Sequence, residues 1–415
     1  MKCLHFKELI WGLITVAVLS STLYPQTDEL DTVTQQVAKL TASDIPALTQ
    51  RAEAGDLKAE FMLGLAYANA VGVKEDLTAA FKWVARSANG GYALGQNELG
   101  SMFALGQGTP KDPVEALKWF RKAAEQGYAG AQYNLGTRYA YGIGTERNFD
   151  EAAEWFSKAA EQGYAKAADK LGRMSLFGEG VPKSDAAAAK WFRQAAEAGL
   201  ADGEYHLANL YRHGTGVPQS EAEAVRWLTQ ASEHGSAEAQ TNLANMLLEG
   251  AGVAKDCAAG MAWLTKAAES GDAAGQNNLG YHYLTGNCVT KSEKTAFDWL
   301  MKAAKQGLPI AEATVGASYD QGVGVKRDPT EAVEWYRRAA EHGNGSAQHN
   351  LAVMYAEGEG MPRDVVSSYQ WLLPAERAGH GDRVLRAKLE RGLTANERKE
   401  AEQRAAKYLS KQEEQ

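Results

Sequence analysis

Cysteine is nearly absent: 415 residues contain only Cys3, Cys257 and Cys288. A fold held together by a disulfide framework is thereby excluded. Long basic runs are missing too. With 44 Lys and Arg against 52 Asp and Glu, the chain carries −8, and a mildly acidic chain of this kind is a poor nucleic-acid binder. H-E-x-x-H, C-x-x-C, G-x-S-x-G and Ser-x-x-Lys do not occur, so nothing assembles a nucleophile, a base and an oxyanion donor. Carboxylates such as Glu221 and Glu223 lie on opposite helix faces and imply surface charge. His206 and His213 are seven apart, whereas a helical metal pair sits at three or four. No metal, no cofactor and no enzyme activity are expected. Proline numbers 10 against 42 glycines, and those glycines are regularly spaced.

One apolar run is present, over residues 9–19, preceded by Lys2, His5 and Lys7 and followed by Ser20, Ser21 and Thr22. A basic start, an apolar stretch and small residues describe a secretory signal peptide, cut after Ser20. An uncleaved membrane anchor and a buried helix are the rival readings, although the stretch is short for a bilayer. Export to the periplasm or the medium is the expected localisation. Membrane contact is expected only through this segment if it stays uncleaved.

The rest of the chain is periodic. Trp83, Trp119, Trp155, Trp191, Trp227, Trp263, Trp299, Trp335 and Trp371 are each 36 apart, and only Trp11 lies off this lattice. Gly55, Gly91, Gly127 and the glycines that follow to Gly379 keep the same step. Fixed self-similarity of this length means a solenoid or array. Nine units fill residues 56–379 with no insertion. In the second unit, Gly95, Leu99 and Phe103 repeat at helical spacing. A first helix stops at Gly106, Asp112 caps a second that begins at Pro113, and Gly127 ends it. Each unit is therefore a helix–turn–helix pair, and the fold class is all-α. Columns four and nine of the unit, counted from Tyr92, are always Ala or Gly, which lets helices approach closely. The tryptophans are expected to be buried between neighbouring pairs, at upper bounds of about 4–6 kcal/mol each.

The pattern A-x-x-x-L-G-x-x-Y-x-x-G-x-G is carried in the third unit by Ala131, Leu135, Gly136, Tyr139, Gly142 and Gly144. Ala152, Trp155, Lys158, Ala159, Ala160 and Gly163 complete it. It resembles the Sel-one-like repeat family, relatives of tetratricopeptide repeats. Asn148, Ser175 and Cys288 are local departures. The resemblance implies a right-handed superhelical α-solenoid serving as an adaptor or scaffold, often exported in bacteria. It also implies two alternatives. Some cysteine-rich members are described as binding or weakly hydrolysing β-lactams, and a structural role in an envelope or polysaccharide-export assembly is the other. Residues 21–55 and 380–415 are expected to form polar capping helices. Leu30, Val33, Val37 and Leu40 build the first, and Thr394 with Glu397 makes a capping box for the last.

In such solenoids the first helices line the concave surface, where a protein or peptide would bind. Columns 3, 7, 10 and 14 share the remaining face of the first helix. Column 7 is Asn at Asn134, Asn242, Asn278 and Asn350. A carboxamide grips a peptide backbone with donor and acceptor alike; bonding a neighbouring helix is the alternative. Tyr141, His206 and Tyr281 share this face. Lys166, Lys170 and Arg173 either take a carboxylate or phosphate or simply face water. Finally, Cys257 and Cys288 fall at matching heights on an antiparallel helix pair turning at Gly271 and Asp272. A disulfide is expected there, with two unpaired buried thiols as the alternative.

Overall fold

The computed structural model describes residues 28–413. The signal-peptide reading of residues 1–20 lies outside them. Among the described residues there are 22 helices and no strand. Helices Asp28–Ala38 and Ile45–Glu53 come first. Nine helix pairs follow, from Leu57–Ala68 with Leu77–Asn89 to Gly345–Glu357 with Val365–Arg377. Arg383–Gly392 and Ala395–Glu413 close the chain. The fold is an all-α solenoid of 36-residue pairs. It divides into two compact units, the first ending at His234 and the second beginning at Gly235.

Local chemistry sets the helix ends. Eight of the nine first helices stop at a left-handed glycine, as at Gly106 with φ 79°. Second helices open on a side chain that accepts from the first free N–H groups. Asp112 Oδ1 takes those of Val114 and Glu115, both at 3.0 Å, ahead of Pro113. Asn148 does the same for Asp150 and Glu151, so that departure keeps the cap. A second departure, Ser175, is matched by a change at its partner position. Arg193 and Arg337 donate to the hydroxyls of Tyr211 and Tyr355 eighteen residues later. Between the third and fourth repeats Ser157 and Ser175 stand at the two positions.

The core column is the residue after each tryptophan, not the tryptophan. Val84, Phe120, Phe156, Phe192, Leu228, Leu264, Leu300, Tyr336 and Leu372 are all at most 2% exposed. In the six repeats with glycine at column nine, this residue presses on that glycine. A Cβ at Gly136 would stand 2.8 Å from the ring of Phe156, and one at Gly172 would stand 2.6 Å from Phe192. That contact is the reason the column stays small. Only Trp227, Trp335 and Trp371 are buried, and the other six lattice tryptophans are half-buried. The expectation of uniformly buried indoles is corrected accordingly. Each indole sits one helical step off the core axis, and eight of the nine carry a cation over the ring, Trp371 packing against Tyr408 instead. Lys122 Nζ lies 3.7 Å from the Trp119 ring centre and Lys302 Nζ 3.6 Å from that of Trp299. Such stacking stabilises while leaving the charge wet.

A polar row runs through the interior. In five repeats column five is paired with the residue thirty positions later in the same repeat. Gln126 donates to Gln96 at 2.7 Å, Gln162 to Gln132 at 2.6 Å and Gln306 to Gln276 at 2.9 Å. Where column five is acidic, the partner is a basic group. Glu204 meets His234 at 2.8 Å and Glu312 meets His342 at 2.7 Å. Both carboxylates are almost wholly buried. The fourth repeat has Ala168 and Ala198 at the two positions. These paired polar groups are tolerated in the interior because they are bonded to one another.

The end helices cover the stacks. Val33 and Val37 are buried in the first unit, and Ala401 and Ala405 in the second. Tyr408 lays its ring 5.1 Å from Trp371 and donates to the Ala340 carbonyl at 2.7 Å. Thr394 N–H donates to Glu397 at 2.8 Å and Glu397 N–H returns to Thr394 Oγ1 at 3.3 Å, the capping box read from the sequence.

Candidate functional site

In the first unit the open face of the first helices is partly self-bonded. Asn134, half-buried, donates to Asn97 Oδ1 on the preceding repeat at 2.9 Å. A carboxamide has donors and lone pairs left after one such bond. Glu98 holds column seven one repeat earlier, and burial pushes its carboxyl up to about 7. His206 is engaged inward: its Nδ1 lies 2.7 Å from the buried Asp169 carboxylate and its ring 4.8 Å from that of Phe192. Arg173 is exposed and Lys170 half-buried. Tyr141 and Phe177 are 58% and 68% exposed, and Leu105 continues their column one repeat earlier. The common column places these three in register at the ends of consecutive first helices, a row that reading residues repeat by repeat does not assemble.

In the second unit Asn242 is half-buried on its first helix. Asn278 donates to Asn245 Oδ1 at 3.3 Å and accepts from Asn277 at 3.2 Å. Asn278 and Asn245, but not Asn242, border a cleft of about 280 Å³, lined also by Glu249, Tyr281, His282 and Asn287 over the buried Leu248. Tyr281 is 58% exposed at its edge. The imidazole of His282 sits 2.9 Å from the carbonyl of Asn287, so its Nδ1 carries the proton and donates. Asn287 precedes Cys288, which is bonded to Cys257 with the Cα atoms 5.3 Å apart. The disulfide read from the spacing is present, and it pins the turn that forms one wall of the cleft.

Asn350 lies apart from this cleft, in a second one of about 320 Å³ with Ser346, His349, His380 and Gly381. Its side chain is hydrogen-bonded to Tyr336. His349 is close to Asp382, Nε2 to carboxylate 3.8 Å. Among the described residues no group of three His, Cys, Asp or Glu side chains converges to hold a metal. No helix among them is long and apolar enough to cross a membrane.

The model of the Sel1 repeat matches nine consecutive segments, from 57–92 to 345–380. A protective antigen of uropathogenic Escherichia coli with an SLR fold is 32% identical, over 92% of this chain and 94% of its own, with a TM-score of 0.55. A Sel1 repeat protein from Oxalobacter formigenes is 34% identical, over 74% of this chain and 89% of its own, with a TM-score of 0.59. No curated protein matches. With its period, its turn glycines and its helix pairs all in the family's register, the chain belongs to the Sel1 repeat family.

Proposed function

We propose that this chain is an exported, non-enzymatic scaffold that holds a protein or peptide segment against its first helices. Sel1 repeats generally mediate protein–protein interaction. The observation that carries the reading is the cleft in the second unit, where Asn278, Asn245 and the exposed Tyr281 come together. Carboxamides with spare hydrogen-bonding capacity suit a peptide backbone, and a rigid exposed aromatic ring adds contact area at low entropic cost. Export is supported by the basic and apolar start of the sequence and by the Cys257–Cys288 bond, since such bonds persist in oxidising compartments.

The test is capture of partners by cross-linking in the source cells, followed by pull-down. The triple variant Asn134→Ala, Asn242→Ala, Asn278→Ala is expected to lose the captured partner with little change in melting temperature. Unchanged capture discards the site, and a collapse of stability makes these residues structural.

A further inference from the structure

The cleft bordered by Asn278 and Tyr281 has a one-sided chemistry. Glu249 is its only carboxylate; it is exposed and makes no ion pair. No Lys or Arg lines the cleft. The other polar groups are neutral: the carboxamides of Asn245, Asn278 and Asn287, which offer oxygens as well as N–H groups, and His282, whose Nδ1 is spent on the Asn287 carbonyl. Tyr281 presents an open aromatic face at the edge. An anionic guest finds no counter-charge in this cleft, and an apolar guest would strand the carboxylate.

We propose that this cleft receives an arginine side chain of the bound peptide, a specificity determinant that rests on the scaffold reading above. The guanidinium pairs with Glu249, its plane lies on Tyr281, and its outward N–H groups meet the carboxamide oxygens. A planar cation with five donors matches a carboxylate, an aromatic face and several carbonyls better than a compact ammonium does. The cross-link between Cys257 and Cys288 holds Asn287 in place for this contact.

The experiment uses the full chain with its disulfide intact. The probes are three acetylated, amidated pentapeptides, Ala-Ala-X-Ala-Ala, with X arginine, citrulline or glutamate, read by saturation-transfer NMR. Citrulline keeps the shape of arginine and removes its charge. The arginine peptide is expected to bind, with the citrulline peptide at least about tenfold weaker and the glutamate peptide silent. Glu249→Gln is expected to cost about tenfold and Tyr281→Ala about fivefold for the arginine peptide. Glu269→Gln, on the second helix of the same repeat, should leave its affinity unchanged. Equal binding of the arginine and citrulline peptides, no binding of the arginine peptide, or an unaltered Glu249→Gln protein overturns the proposal. Partner capture from cells separates the two readings. Capture that survives Glu249→Gln but not the triple asparagine variant discards the arginine and keeps the scaffold, whereas capture untouched by either discards the asparagine site as well.

Discussion

Cys288 stands where the other eight repeats carry a glycine, which in six of them presses on the first residue of the preceding repeat's second helix. It is bonded to Cys257, the first residue of such a helix. At Gly108 and Gly144 the equivalent contact is so close that a Cβ would fall 2.0 and 2.1 Å from the carbonyls of Leu77 and Pro113. Cys288 keeps the left-handed backbone of that column, with φ 61°. A side chain there costs about 1 kcal/mol, offset by a cross-link at a point where the two backbones are already neighbours.

That relationship orders three proteins. Losing the cross-link of a 31-residue separation should cost about 3.5 kcal/mol on the chain-entropy view. Cys257→Ser loses the bond and retains a left-handed Cys288. Cys288→Gly loses the bond but removes the backbone penalty. Urea unfolding should therefore rank the oxidised parent above Cys288→Gly, and Cys288→Gly above Cys257→Ser. The reverse order of the two variants would show that the glycine column sets no constraint at 288.

A second expectation concerns the core column. Phe192 is fully buried while Trp191 is half-buried, with Lys190 Nζ 5.3 Å from the centre of its ring. Phe192→Ala should cost about 3–5 kcal/mol and Trp191→Ala roughly half of that. Gly172→Val, which drives a side chain into the Phe192 ring, should cost about 1–3 kcal/mol. Equilibrium denaturation of the three variants decides the ranking; a costlier Trp191→Ala would return the indoles to the centre of the core.

Much of this architecture is written in the period. The 36-residue step, the turn glycines, the Asp112-type caps, the Thr394–Glu397 box and the cysteine pair all depend on separations along one helix or one hairpin, which a sequence states directly. The tryptophan's half-burial was not legible, because one helical step separates a core position from a flanking one and aromatic size favours the wrong choice. The interior polar row left a signal that was there to be read. Gln132 with Gln162, Ala168 with Ala198, and Glu204 with His234 change together at a fixed thirty-residue offset. The bonds from Asn134 to Asn97 and from Asn278 to Asn245 left none, since they depend on the angle between successive repeats.

Glu204 and His234 test whether that row is interchangeable. Glu204 is 1% exposed, and burial raises its carboxyl above the usual range while the bond from His234 pulls it back. His234→Ala leaves a buried carboxylate without its partner and should cost about 1–3 kcal/mol. The double variant Glu204→Gln, His234→Gln recreates the Gln132–Gln162 arrangement and should recover most of that loss. A double-mutant cycle by urea unfolding measures it, and a double variant no better than His234→Ala would refute the equivalence.

Glu98 gives the pH dependence its sign. Burial alone holds its carboxyl up, to about 7 against an ordinary 4.5. Below about pH 4.5 the group is protonated in the folded and unfolded chain alike and contributes nothing to the balance. As pH rises from there to about 7, the unfolded chain gives up its proton while the folded chain keeps it, so stability falls with pH across that window. Above about 7 the folded chain carries the charge in its poorly solvated place, and the full penalty persists. Glu98→Gln removes the titration and keeps the shape. The variant should match the parent near pH 4 and be the more stable of the two at pH 8, with the gap opening between 4.5 and 7. Urea midpoints at pH 4, 6 and 8 read this directly. A constant gap at all three values would mean that the carboxyl is solvated and that its column-seven site does not desolvate its occupant.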